Sequence, residues 1–274
     1  MKTLSRIYNA FIFTFLYAPI VVLVIFSFND SKSRVVWNGF SLRWYQELFQ
    51  NNEILSALWV TLSIAVIATI VSTVIGTAAA IGIRSVNSRV RRVLMAINNF
   101  PMVNPEIVTG IALMLLFVFI HKTTGLLQPG YLTLLLSHIT FCIPYVILQV
   151  LPKLRQANPH LYEAAVDLGC HPFKAFLKVM VPEILPGILT GALMAFTMSL
   201  DDFVISLFTS GASAQNLSVT IYAMVKRRVT PEINALSTLI FGTMLILLIL
   251  VNVLQKRSDP HKKRRVTKIG RAHV

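Results

Sequence analysis

The chain has 274 residues, of which 55% are hydrophobic and 13% charged, and a formal net charge of +14 at pH 7. Soluble domains carry about 25% charged residues, so this composition, with a mean hydropathy of +0.69, excludes a soluble globular fold and predicts an all-α integral membrane protein. The positive charge does not mark a nucleic-acid binder, because the basic residues lie at the termini and in short segments between apolar runs.

The first apolar run covers about 7–28, behind a short N-terminal stretch, 1–6, that carries Lys2 and Arg6. It is longer than a signal-peptide core and no small-residue cleavage site follows, so it reads as a retained helix. Residues 29–53 are polar, with Trp37, Phe40, Trp44 and Tyr45 suited to a short interfacial helix. A second span, about 54–83, ends in Gly76, Ala78, Ala79, Ala80 and Gly82, small residues that allow close helix packing. A third, about 94–120, is interrupted by Asn98, Asn99, Pro101, Asn104, Pro105 and Glu106. Lipid does not tolerate such a run, so it is expected to line protein or a water-filled path. A fourth span, about 131–151, holds His138, expected to make an interhelical hydrogen bond, and Pro144, expected with Pro101 and Pro105 to set kinks. Spans five and six are expected at about 187–208 and 236–255, and a basic tail, 256–274, closes the chain. Its last six residues, 269–274, read either as a non-native string, since sequencing-adapter read-through translates to such a sequence, or as a natural basic tail.

Lys and Arg alone set the orientation. The N-terminal flank, the 84–93 segment, the segment 152–186 and the tail hold 18 of them, and the other three loops hold 7. Both termini and the 152–186 loop are therefore expected in the cytoplasm. The two cysteines, Cys142 and Cys170, fall in different compartments by this topology and are not expected to pair. Six scattered histidines form no metal-ligand cluster, and no GxxxxGK followed by Ser or Thr occurs. No metal, no cofactor and no catalytic residue is expected in this chain.

Three acids fall within predicted spans: Glu106, Asp201 and Asp202. An acid at mid-membrane costs roughly 2.5–3.5 kcal/mol on insertion scales, so each is a functional candidate. No Lys or Arg lies in the central part of any span to neutralise them, and unpaired carboxylates suit a cationic passenger. Each also has a structural alternative, as a helix cap or a partner of backbone groups in a broken helix. As adjacent helical residues point about 100° apart, only one aspartate is expected to face a path at a time.

The segment 152–186 is the longest polar-bearing interval between two apolar spans. Pro159 opens a short helix with Leu161, Ala164, Ala165 and Leu168 on one side, and Gly169 ends it. Pro172 opens a second helix with Phe173, Phe176, Leu177 and Met180 on one face and Lys174 and Lys178 on another; Pro182 and Pro186 are expected to stop it. Glu163-Ala164-Ala165, Gly169 and Pro182, the last closing Val179-Met180-Val181-Pro182, resemble the EAA loop of ABC-importer permeases. That resemblance implies a cytoplasmic coupling helix seated in a groove of an ATPase subunit.

A wider resemblance covers about 8–255. Ser27-Phe28-Asn29-Asp30-Ser31, Gly39-Phe40-Ser41 with Trp44-Tyr45, Asn104-Pro105-Glu106-Ile107-Val108, Ser137-His138-Ile139-Thr140-Phe141-Cys142, Ser199-Leu200-Asp201-Asp202 and Ile221-Tyr222-Ala223-Met224-Val225-Lys226 are similar to the second permease of spermidine/putrescine importers. This implies a type I (MetI-like) permease fold with six transmembrane helices, multi-pass in the bacterial inner membrane. The implied partners are a second permease in a heterodimer, a dimer of ATP-binding subunits that hold ATP and Mg, an extracytoplasmic substrate-binding protein and membrane lipid. It also implies that acids such as Glu106, Asp201 and Asp202 line a polyamine route. The alternatives are a permease for another cationic or small organic solute, and a stand-alone proton-coupled transporter.

Overall fold

The computed structural model describes residues 2–31, 36–227 and 231–258. All regular elements among them are helices, apart from an isolated antiparallel bridge between Asn29 and Phe40. In chain order these are α1 (Lys2–Ser27), α2 (Arg43–Gln50), α3 (Asn52–Ser85), α4 (Ser88–Val103), α5 (Glu106–Thr124) and α6 (Tyr131–Gln156). There follow α7 (Pro159–Asp167), α8 (Pro172–Ala175), a π-helical turn (Phe176–Met180), α9 (Val181–Asp201), α10 (Val204–Thr209), α11 (Leu217–Arg227) and α12 (Pro231–Ser258). Among the described residues five stretches are long and apolar enough to cross a membrane: Arg6–Ser27, Asn52–Ser85, Glu106–Thr124, Tyr131–Gln156 and Pro172–Asp201. The predicted sixth span falls on the 28-residue α12. The expectations for the tail from 259, with its final 269–274, lie outside the described residues.

The described residues divide into two units, the first lying within 2–56 and 220–250 and the second within 57–219 and 251–258. In the first, the polar stretch after α1 folds around Asn29, whose side chain donates to the Val36 carbonyl at 2.7 Å and accepts from Asn38 N at 2.9 Å. Trp44 is buried and its Nε1–H donates to the Asn29 carbonyl at 2.6 Å. A short helix, α2, carries Trp44 and Tyr45, while Trp37 and Phe40 precede it, and Trp44 serves to lock the loop. Tyr45 stacks near Phe28 at 5.2 Å and shares a 2.8 Å hydrogen bond with Ser27.

The second unit is built on an antiparallel pair, α6 and α9. Gly187, Gly191, Ala195 and Ser199 recur every four residues on α9 and are all buried, forming one ridge along the helix. They meet α6 in descending order. A Cβ on Gly187 would lie 2.8 Å from Lys153 Cγ, and one on Gly191 would lie 3.3 Å from Val146 Cα. The Ala195 carbonyl accepts from Cys142 Sγ at 3.4 Å, and Ser199 meets His138 at 2.7 Å. Small residues let two backbones approach closely in a medium where no hydrophobic drive separates helix from lipid. On α3, Gly76 packs on the same Val146. Arg84 donates to the Leu154 carbonyl, and Arg91 donates to the carbonyls of Ile83, Arg84 and Val86. These cations satisfy carbonyls that a helix C-terminus leaves orphaned.

Two expected boundaries differ. The third span, 94–120, is two helices: Asn104 has ψ 138° and α4 ends at Val103, because Pro105 disfavours helical backbone at the residue before it and cannot donate. The fifth span does not begin at 187, and Pro182 and Pro186 do not stop the helix. The chain stays helical from Pro172 to Asp201. The π turn supplies the reason: Val181 N bonds the Phe176 carbonyl, five residues back, which resets the hydrogen-bond register just before Pro182, now in the first turn of α9 where a missing N–H costs nothing. The helix then ends at Asp201, short of the expected 208.

Candidate coupling surface and cation path

The hairpin of α7 and α8 is capped at each of its turns. Asn158 accepts from His160 N at 3.0 Å ahead of α7, and His171 accepts from Phe173 N at 3.3 Å ahead of α8; a proline follows each cap. Between them Gly169 has φ +85°. Its N–H reaches the Val166 carbonyl at 2.9 Å, and Cys170 N reaches the Ala165 carbonyl at 3.1 Å. That pair of bonds is the Schellman closure, which needs a left-handed residue where Gly169 stands.

This fold leaves an apolar surface uncovered. Leu168 is 89% exposed, Phe173 65%, Leu177 47% and Leu161 45%. Glu163 lies exposed beside them with its carboxylate 3.1 Å from His160 Nδ1, while Ala164 is exposed and Ala165 half-buried. Pro182 is exposed one turn along the continuing helix. Large apolar side chains exposed together on so short a hairpin make it a candidate surface for a partner.

The three acids are placed differently. Glu106 is exposed and begins α5 directly after the Pro105 break. Gly110, one turn on, packs against α10: a Cβ there would lie 2.9 Å from Phe208 Cδ2 and 3.5 Å from Ile205 Cα. Asp201 is the last residue of α9 and is exposed. Among the described residues, neither Glu106 nor Asp201 has a side-chain hydrogen bond or ion pair. Asp202 is 7% exposed and caps α10. Its carboxylate accepts from Ile205 N at 3.3 Å, Ser206 N at 2.8 Å and Ser206 Oγ at 2.6 Å.

His138 completes that cluster, and its expected interhelical bonds are present, to Ser199 Oγ at 2.7 Å and Ser206 Oγ at 3.0 Å. Asn216 Nδ2 donates to Ser206 Oγ at 2.8 Å and to the Asp202 carbonyl at 2.9 Å. A hydroxyl has one proton and two lone pairs. Ser206 gives its proton to Asp202 and accepts from Asn216, so its remaining lone pair accepts from His138 Nε2–H. His138 Nδ1 shares its hydrogen bond with Ser199 Oγ. Ser206 and Asn216 were not singled out from sequence, and Ser199 entered only as part of the Ser199-Leu200-Asp201-Asp202 motif. Among the described residues no group of three or more His, Cys, Asp or Glu can hold a metal.

Fold and site together define a multi-pass helical membrane protein with a short helical hairpin between two of its spans. The chain belongs to the family of binding-protein-dependent transport system inner membrane components, which it matches over residues 72–264. It is 41% identical over 262 residues to the putrescine transport system permease protein PotI of Escherichia coli K12, covering 95% of this chain and 92% of that protein. It is 35% identical over 254 residues to the spermidine/putrescine transport system permease protein PotC of Haemophilus influenzae, covering 92% and 97%. A chain of a bacterial ABC transporter that imports alginate superposes with a TM-score of 0.72 at 17% identity, covering 93% of this chain and 95% of that one. A chain of the MetNI methionine ABC transporter superposes with 0.59 at 18% identity, covering 75% and 96%. The fold is therefore the MetI-like importer permease fold, in an inner-membrane subunit.

Proposed function

We propose that this chain is the permease subunit of an ATP-driven importer that moves polyamines, putrescine and spermidine, into the cytoplasm. The observation that carries the reading is the 41% and 35% identity, over more than nine-tenths of the chain, to permeases named for those cations. The unpaired carboxylates of Glu106 and Asp201 support it, since an ammonium group is a complementary donor. The alginate and methionine transporters share the fold with very different solutes, so the substrate rests on sequence and charge rather than on architecture.

In this reading the chain crosses the membrane six times with both termini inside, and pairs with a second permease. The 159–182 hairpin seats Glu163, Ala164, Ala165, Gly169 and Pro182 against one subunit of an ATPase dimer, which holds ATP and Mg and performs all bond-breaking. A loaded extracytoplasmic binding protein delivers the cation. Closure of the ATPases moves the hairpins, and the helix from Pro172 to Asp201 carries that motion toward the acids. By its 30 residues at about 1.5 Å each, this helix spans roughly 45 Å. Glu106 and Asp201 offer a weak, transient site, whereas the Asp202 carboxylate, expected beside them from sequence, is already taken up by protein donors.

The test is Glu163→Lys in the assembled complex. Transport and substrate-stimulated ATP hydrolysis are both expected to fall about tenfold or more, the loss of one polar contact at an interface centre. Wild-type values for both would overturn the coupling role.

A further inference from the structure

The two adjacent aspartates do not share an environment, and the difference follows from how the chain breaks between α9 and α10. Asp201 ends one helix and is exposed. Asp202 has extended backbone, ψ 126°, which turns its side chain back over the start of α10 and into the interior. There its carboxylate meets Ser206 of α10; His138 of α6 joins Ser206 to Ser199 of α9, and Asn216 of the segment before α11 bonds Ser206 and the Asp202 backbone carbonyl, every one of them buried. The Asp202 carboxylate has three donors within hydrogen-bond distance. A fourth group, His138 Nε2, lies 3.6 Å away. Both carboxylate oxygens are thus engaged by protein, which leaves a passing cation to compete with bonds already made. Asp201 has no such partners among the described residues.

The cluster ties together the ends of four segments. His138 joins α6 to both α9 and α10, and Asn216 joins the next segment to the break through the Asp202 carbonyl. It stands at the far end of the α6–α9 ridge from Gly187, so the helix that begins in the coupling hairpin ends at this cluster. Buried polar networks with every member satisfied fix one arrangement, and losing any member leaves a costly unpaired group.

We infer that His138, Ser199, Ser206 and Asn216 form a latch that holds Asp202 out of the path, making Asp202 a positioning residue and Asp201 the aspartate that meets the cation. The inference rests on the cation-path reading above. The latch fixes the angle at which α9 gives way to α10, and so where the Asp201 carboxylate points. His138 is likewise a positioning residue: it makes no contact with the passenger and sets the geometry through Ser199 and Ser206.

The test uses the whole importer in membrane vesicles, with Cys142→Ala and Cys170→Ser as background, and a positively charged, membrane-impermeant methanethiosulfonate as probe. Asp201→Cys is expected to label readily, and Asp202→Cys much more slowly. Adding His138→Gln to Asp201→Cys is expected to change its labelling rate by about fivefold, the scale of coupling within one hydrogen-bond network. Equal labelling at 201 and 202, or a labelling rate at 201 indifferent to His138→Gln, would overturn the inference. Where Asp202→Cys does not assemble, thermal unfolding of complexes carrying His138→Gln, Ser206→Ala and both reads the same latch. Non-additive losses are expected, and strict additivity overturns it. If neither Asp201→Cys nor Glu106→Cys labels while His138 and Ser206 remain coupled, it is the path reading that fails.

Discussion

At the scale of single residues, the coupling hairpin depends on backbone geometry as much as on its acidic side chain. Gly169 sits at φ +85°, where an L side chain costs roughly 1–2 kcal/mol. Gly169→Ala is expected to raise amide exchange across 159–182 about fivefold or more in the assembled complex, with Gly169→Asn between the two because Asn tolerates this region better. Unchanged exchange in Gly169→Ala would mean that the turn does not hold the hairpin. The glycine, both N-terminal prolines and the acidic start were legible in the sequence, because each has a local conformational meaning that needs no tertiary context. The roles of Asp201 and Asp202 were not. The expectation of side chains about 100° apart assumed a helix through both, whereas the helix ends between them and one carboxylate folds back to cap the next. Which of two adjacent acids caps a break depends on the serines and the histidine that the fold brings near, from as far as 68 residues away.

At the scale of elements, the α6–α9 pair is set by small residues in a row. Val146 Cα and carbonyl lie 3.3–3.4 Å from a Cβ at Gly191, so a larger side chain must push backbone. Gly191→Leu is expected to cost about 1–3 kcal/mol by overpacking and to lower the thermal stability of the purified complex, with Gly191→Ala losing less. A Leu variant as stable as the parent would mean that the ridge is not in close contact. Hydrophobic run lengths made the apolar spans readable, whereas Pro105, expected only to kink a single span, separates α4 from α5. Pro182 and Pro186 misled for a physical reason. A π turn five residues long, which no sequence pattern announces, shifts the bonding just ahead of Pro182, and Pro186 is carried inside α9 as Pro144 and Pro152 are carried inside α6. The ridge itself was hidden because Gly187, Gly191, Ala195 and Ser199 are unremarkable singly and acquire meaning only opposite Val146, Cys142 and His138.

At the scale of the whole molecule, the chain supplies shape, charge placement and a lever, while the driving reaction belongs elsewhere. The hairpin's uncovered Leu161, Leu168, Phe173 and Leu177 call for a partner, and the unpaired Glu106 and Asp201 call for a cation. The orientation drawn from Lys and Arg puts the hairpin where an ATPase could reach it. The most direct test is uptake of labelled putrescine and spermidine by proteoliposomes holding both permeases and the ATPase subunits, with the loaded binding protein on one side and ATP on the other. Accumulation is expected to require ATP and to persist when a protonophore is added. Accumulation driven by an imposed proton gradient without ATP would contradict the account.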